Sequence, residues 1–360
     1  MNMGTYVDRL AAPDLTWEIT DTYNAALDMA FFDKRLNITA EAYYAQTKDL
    51  LLNVQVANHS GFSSVMSNIG RTSNRGVELS IESYNILKPK FSWTTSFTLS
   101  HNTQLVEDIG SEDFVDAYAP NYATNYRMYG YVKGYPLNAL WGFQDAGVWH
   151  NQEELDRNAI THTYVSKYKS VGHSKYLDIN NDGILDKNDL IYLGSADALV
   201  YGGLQNTFNI HGFALSIYFN YSLGGKIYNI PELFNGNGSQ FTNQMRYMQN
   251  AWHPIRNPES DIPRAGSYDQ LPSTRILYDA SYLRLKSASL SYTFDMRKLT
   301  SGNLRDLKLS VSGDNLFLLK KYAGFDPDVS TSSGGSTLRR YDFNAYPKAR
   351  IVMFSLQLRY

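Results

Sequence analysis

The chain has 360 residues, no cysteine, and 33 Lys and Arg against 35 Asp and Glu for a net charge of −2. That excludes disulfide, thiolate-metal and cysteine-nucleophile chemistry, and leaves no global basic field with which to hold nucleic acid. Mean hydropathy is −0.38 and no run of about eighteen apolar residues occurs, which excludes a helical membrane protein but not a membrane β-barrel, where half of each strand is polar.

Trp17 to Phe32 reads as a long strand that turns at Asp33-Lys34-Arg35 into Leu36 to Val54. There Leu36, Ile38, Ala40, Ala42 and Tyr44 share a face opposite Asn37, Thr39, Glu41 and Tyr43. Asn53 to Ser67 reads as a longer loop. The next strand alternates Val77, Leu79 and Ile81 with Glu78, Ser80 and Glu82, and a short turn at Leu87 to Lys90 leads into Phe91, Trp93, Thr95, Phe97 and Leu99, alternating with five Ser and Thr residues. The pattern weakens from Gln104 to Asn138, resumes as an expected strand from Leu140 to Trp149, and gives way to a polar stretch in which Asn151 to Arg157 suits a helical turn.

Val200 to Ile210 and Phe213 to Leu223 form an expected hairpin across His211-Gly212. Phe213, Leu215, Ile217, Phe219 and Tyr221 fall on one face, and Ala214, Ser216, Tyr218 and Asn220 on the other. Gly224 to Arg275 is too long for an idle connection. Tyr278 to Phe294 alternates with a slip, which either a bulge near Lys286 to Ala288 or the emergence of the strand beyond the membrane accounts for. Leu307, Leu309 and Val311 mark the penultimate strand, Tyr322 to Tyr346 is a loop, and Arg350 to Tyr360 closes the chain with Val352, Phe354, Leu356, Leu358 and Tyr360 on one apolar face.

About ten strands, each alternating over roughly nine to eleven residues and joined by tight turns and long loops in turn, are the pattern of an outer-membrane barrel. The 28 Tyr residues suit its interfacial girdles. Glu78, Glu82, Lys308 and Arg359 all fall on polar faces; on a lipid face a basic side chain would cost about 2–4 kcal/mol. The start, MNMGTYVDRL, lacks a secretory signal, so an exported barrel would need sequence upstream of Met1.

The sharpest motif is Asp178 to Asp189. Asp178, Asn180, Asp182, Ile184, Asp186 and Asp189 stand at the ligand spacing of a calcium loop, with Gly183 where the chain must turn. Asp189 replaces the usual bidentate Glu and the flanks are not EF-hand helices. The loop is either a structural Ca2+ site or a set of Asx-turns held by its own backbone. The seven His show no ligand spacing and no nucleophile elbow is present, so no catalytic residue is assigned and the chain does not read as an enzyme. Trp149, Tyr247 and Trp252 stack on sugar rings, pack under a partner protein or line their own loops.

Several segments together resemble the C-terminal portion of the TonB-dependent outer-membrane transporters of the SusC/RagA type found in Bacteroidota. They are Leu15 to Glu18, Asn68 to Arg71, Asn74 to Glu78, Gly134 to Pro136, Asp178 to Gly183, Tyr201 to Leu204, Asp279 to Leu285, Gly313 to Leu316, Tyr322 to Pro327 and the closing strand. The resemblance implies a barrel of about 22 strands with a plug, a SusD-type surface lipoprotein as partner, outer-membrane lipid around the wall, and uptake of an oligosaccharide or peptide driven by the TonB complex. On that reading residues 1–360 are an incomplete half-barrel without the family's N-terminal extension, TonB box and plug, and an open, curved antiparallel sheet is expected with the last strand near an edge. The competing reading is a secreted soluble β-sandwich, stabilised by calcium, that binds carbohydrate.

Overall fold

The computed structural model describes residues 12–55, 61–62, 64–116, 128–157, 161–162, 170–238, 243–266, 271–297, 304–329 and 339–360. Nine long strands form one antiparallel sheet: β1 Ile19–Phe31, β2 Leu36–Gln55, β3 Ser64–Lys88, β4 Phe91–Ile109, β5 Val200–Ile210, β6 Phe213–Leu223, β7 Tyr282–Asp295, β8 Asp306–Lys320 and β9 Ile351–Arg359. Each pairs with its sequence neighbours, so the order in space is the order in the chain and the sheet is open, with β1 and β9 as its edges. A sandwich needs two facing sheets; among the described residues the wall is one sheet, with small two- and three-stranded ribbons beside it.

Register shows why the alternation is so regular. Phe97 lies across from Leu204, Leu204 from Phe219, Phe219 from Leu285 and Leu285 from Phe317, one apolar row crossing five strands. The next row in runs Ser80, Thr98, Gly203, Asn220 and Arg284. One face of the sheet is therefore aliphatic and aromatic and the other hydroxyl, amide and charge. At the short-turn end the apolar face carries Phe213, Tyr292 and Phe294, with ring centroids 4.4 and 4.5 Å apart. Eight residues up β1 from Phe31, Tyr23 stands across from Tyr44. That separation is about 27 Å along the strand at about 3.4 Å per residue, close to the apolar band of a membrane barrel once the strand is tilted. The Lys48–Asp21 ion pair on the same face lies beyond these tyrosines. On the apolar face Trp93 Nε1 and Thr95 Oγ1 both donate to Asn206 Oδ1, at 2.9 and 2.7 Å, so these polar atoms are satisfied within the sheet.

Two irregularities have local causes. His211 and Gly212 both adopt positive φ, 46° and 89°, which is the primed two-residue turn whose twist matches β5 and β6. Lys286 is the extra residue of β7 against β6, where the consecutive Tyr218 and Phe219 pair with Ser287 and Leu285; against β8 the extra residue is on the other strand, Asn315 and Leu316 facing Lys286, with Asn315 at φ 53°.

Four expectations need correction. The strand from Leu140 to Trp149 is not part of the wall, which among the described residues has nine strands. It splits into Ala139–Gly142, paired with Ile191–Ser195, and Asp145–Val148, paired with Ser174–Tyr176. A Cβ at Gly142 would meet the Tyr228 hydroxyl at 2.7 Å, and the run is interrupted at Phe143 and Gln144, with Ala139 to Phe143, Gly147 and Val148 buried. The loop from Asn53 to Ser67 is shorter, because β2 continues to Gln55 and β3 has already begun at Ser64. The weak signal after Gln104 still belongs to β4 up to Ile109; Val106 and Ile109 are covered by loop, which erases the alternation. The strand expected from Tyr278 begins at Tyr282, because Leu277–Asp279 pairs instead with Lys226–Tyr228 and the Asp279 carboxylate caps the Ser281 N–H at 2.8 Å. The helical turn is present as α1, Gln152–Arg157.

The buried core is in the loops, not the wall. The described parts of the β4–β5, β6–β7 and β8–β9 connections pack together at one end of the sheet: Met128, Tyr129, Leu140, Ala196, Tyr228, Ile230, Leu233, Ile276 and Tyr341 form one cluster, and Phe143, Tyr176, Leu185 and Leu271 a second. A second short helix, α2 Ile230–Asn235, inserts its first turn into this platform. A single sheet with no second layer packed on either face has no core of its own, so hydrophobic burial among protein atoms concentrates where loops meet loops.

Candidate functional site

Where the loop platform meets the polar face, the wall opens into a cleft of about 480 Å³ lined by residues of β4, β5, β6 and β7 and by loop residues 197, 328, 339 and 340. Its level is set by register: Ser100, Tyr201, Ser222 and Tyr282 are successive cross-strand partners, with Thr98, Gly203, Asn220 and Arg284 in the row below. Gly202 and Gly203 let two tyrosines of β6 cross β5 on opposite faces. A Cβ at Gly203 would meet the Tyr218 ring at 2.7 Å, and one at Gly202 would meet the Thr98 carbonyl at 2.0 Å and the Tyr221 hydroxyl at 2.8 Å. The Tyr221 hydroxyl donates to the Thr98 carbonyl at 2.9 Å, so that ring is pinned on the apolar side while Tyr218 faces the cleft.

Of the charged groups of the cleft, Asp197, Asp328 and Arg339 have a partner of opposite charge, whereas Arg340 is held by neutral acceptors. Asp197 accepts two bonds from Asn138 Nδ2 at 3.0 Å each and meets Arg339 at 3.5 Å. Arg340 donates to the Gly224 and Ala280 carbonyls and to Ser222 Oγ; burial pulls its pKa below the usual guanidinium range. Asp328 pairs with Lys348. Beneath the cleft Arg284 and Asp326 form an ion pair at 2.6 Å with both side chains 3% exposed, which ties the loop after β8 to the wall.

Beside the cleft, Glu232 on α2 is buried. Its carboxylate accepts from Asn229 Nδ2 at 2.8 Å and from the Tyr278 hydroxyl at 2.8 and 2.9 Å. Desolvation raises its pKa despite these bonds. Tyr322 donates to Asp342 at 2.6 Å in the same buried layer.

In the Asp178 to Asp189 loop the side chains bond to the backbone around them. Asp178 Oδ2 accepts from Gly183 N at 2.8 Å, Asn180 Oδ1 from Asp182 N at 3.0 Å, Asp182 Oδ1 from Ile184 N at 2.8 Å and Asp186 Oδ1 from Asn188 N at 2.7 Å. Asp189 is fully buried, and its two oxygens accept from Ile179 N and Asp186 N at 2.9 and 2.8 Å, closing the loop on itself. Ile184 is exposed and contributes only backbone. The Asx-turn geometry is therefore present. The donor chemistry, all oxygen, suits a hard cation, and Asp178 Oδ1 is enclosed with no hydrogen-bond partner. Among the described residues, however, no three His, Asp or Glu side chains converge as they would around an ion. Trp149 and Trp252 are buried within the loop platform, Trp252 lying against Gly172, so these two line their own loops.

The cleft was only partly readable in the sequence. Asn102, Asn220 and Tyr218 announce themselves as polar-face residues, and the adjacent glycines 202 and 203 across from β6 are a usable sign of close ring packing. Arg339 and Arg340 carry no signal, because the loop that delivers them reads as featureless.

A family model described as TonB dependent receptor-like, beta-barrel, matches residues 2–316. TonB-dependent receptor P26 of Formosa agariphila is 30% identical over 366 residues, covering 99% of this chain and 36% of that protein. TonB-dependent receptor SusC of Bacteroides thetaiotaomicron is 24% identical over 354 residues, covering 96% and 32%. Among solved structures, the RagAB peptide transporter superposes with a TM-score of 0.78 at 24% identity, covering 99% of this chain and 37% of that one, a likeness of fold. The chain spans about a third of the length of the relatives it matches.

Proposed function

Because the chain belongs to the TonB-dependent receptor-like β-barrel family, as a partial, C-terminal portion of the SusC/RagA type, we propose that it is a section of wall in an outer-membrane importer of oligosaccharides or peptides. The observation that carries this reading is the segregation of the sheet, with an apolar, aromatic-rimmed face of membrane height and a polar face that opens into the cleft. The apolar face meets outer-membrane lipid. The loop platform is the surface on which a SusD-type lipoprotein would sit, and the TonB complex would act through parts of the protein outside residues 1–360. The experiment uses the full-length protein with its native upstream sequence in its own cell. Recovery in the outer-membrane fraction, together with loss of uptake of one oligosaccharide or peptide on deletion, is the expected result. Recovery in the soluble fraction without detergent refutes the proposal.

The Asp178 to Asp189 loop is, on this reading, extracellular, since it lies in the long connection between β4 and β5. We assign it a weak structural Ca2+ affinity, with Asp178, Asn180, Asp182, Asp186 and Asp189 as side-chain oxygens and Ile184 supplying its carbonyl. The ion would clamp a loop that its own hydrogen bonds already shape. Calorimetric titration of the intact protein at millimolar calcium tests it: heat of binding that is lost in Asp182→Ala supports the ion, and no heat leaves the Asx-turn loop alone.

A further inference from the structure

We propose that the short-turn rim of the wall is a site for one anionic phospholipid, its phosphate head group among Lys88, Lys90, His211 and Lys308 and an acyl chain in a groove of the apolar face. This rests on the reading of that face as lipid-facing.

The turns build the head-group pocket. Lys88 and Lys90 stand on either side of Pro89 in the β3–β4 turn, and His211 belongs to the β5–β6 turn. The His211 N–H donates to the Lys90 carbonyl at 3.2 Å and the Thr293 N–H to the Gly212 carbonyl at 3.0 Å, so both turns and the end of β7 are fastened together. Between them lies a pocket of about 430 Å³, to which β8 adds Lys308. Ser92, Asn209, Ser291 and Thr293 give it neutral polar side chains, and no carboxylate is among the described residues that line it. The carboxylates nearest in sequence, Asp295 and Asp306, lie instead against Arg297 and Arg305, at 2.6 and 3.7 Å. Among the described residues none of the three lysines forms an ion pair.

The same rim is where cation meets lipid face. Lys88, Phe91, Ile210, Phe213, Tyr292 and Leu309 are successive cross-strand partners, a row of the apolar face that begins with a lysine. A lysine there lays its methylenes along apolar surface and keeps its ammonium at head-group level.

From that row a second hollow, of about 440 Å³, runs along the apolar face over β7, β8 and β9, lined by Leu290, Tyr292, Leu309, Val311, Phe354 and Leu356. Phe213 and Ser291 line both hollows, which makes them continuous. A cationic pocket that runs on into an apolar groove fits an amphiphile: a phosphodiester takes the ammonium groups and hydroxyls, and an acyl chain takes the groove. A free phosphate or an acidic peptide would fill only the first. A zwitterionic head group brings its own ammonium among the lysines, whereas an anionic one relieves their mutual repulsion.

The test places the full-length protein in phosphatidylcholine bilayers that carry a trace of phosphatidylglycerol or of phosphatidylcholine with a diazirine in the acyl chain, and maps the photo-adducts. Phosphatidylglycerol should be enriched over phosphatidylcholine at Leu290, Leu309 and Phe354. The triple variant Lys88→Gln, Lys90→Gln, Lys308→Gln should lower that enrichment by about fivefold for each lysine replaced, and the same three positions changed to Arg should keep it. Equal labelling by the two lipids, or enrichment that survives the Gln variant, overturns the proposal. So does carbodiimide coupling of any of the three lysines to a carboxyl group elsewhere in the protein, which would seat an acidic segment in the pocket. Recovery of the native protein outside the outer membrane refutes the importer reading, whereas outer-membrane protein without a preference for phosphatidylglycerol refutes the lipid site alone.

Discussion

Replacing Asp326 by Ala leaves the Arg284 guanidinium buried at 3% exposure with its partner at 2.6 Å gone and its Nε already without one. Breaking a buried pair from one side costs about 3–5 kcal/mol, because the remaining charge is stranded rather than returned to water. Arg284 belongs to the wall and Asp326 to the loop after β8, so the cost should appear as opening of that loop while the strands stay paired. At about 1.4 kcal/mol per decade, amide exchange of the 322–329 segment in the full-length protein should accelerate by two to three and a half decades, with β7 and β8 protected as before. The double variant Arg284→Met with Asp326→Leu should recover most of the protection, since exchanging both members for apolar residues of similar volume is often close to neutral. Exchange in Asp326→Ala within a few-fold of wild type would refute the view that this pair fastens the loop to the wall.

Three further outcomes follow from the geometry. Glu232→Gln should raise thermal stability at neutral pH and flatten its pH dependence. A carboxyl whose folded pKa is raised by burial favours folding while protonated, so wild-type stability falls as pH rises from the usual carboxylate range through the raised value, and calorimetric melting across that window reads it. Gly203→Val should displace Tyr218 and destabilise the hairpin by about 1–3 kcal/mol of overpacking, seen as a lower urea midpoint, whereas Thr207→Val, also on β5 and away from the cleft, should be nearly silent. Gly212→Ala should cost about 1 kcal/mol, because the turn needs φ near 89° and a Cβ would approach the Thr293 carbonyl at 3.2 Å.

How far the sequence spoke depended on what surrounds each element. In β5 and β6 the boundaries are readable to the residue, because both faces meet uniform media and nothing disturbs the alternation. The slip at Lys286 was legible for the same reason: a lost phase in a regular pattern has few causes. Ala139 to Val148 misled, because a segment buried on both sides in a loop platform shows the same apolar residues as a wall strand without the same period. The cleft was legible in its strand residues and not in Arg339 and Arg340, whose positions follow from contacts between distant loops.

The faces of the wall can be read directly by single-cysteine substitution along β6, from Leu215 to Ser222, in a cysteine-free background of the full-length protein in outer-membrane vesicles. Residues 215, 217, 219 and 221 should be refractory to a water-soluble maleimide and, once carrying a fluorophore, quenched by brominated lipid. Residues 216, 218 and 220 should label and escape that quenching, whereas 222, buried beneath Arg340, is left out of the comparison. Labelling that ignores the alternation, or lipid quenching at the even positions, would contradict a wall with lipid on one side and water on the other.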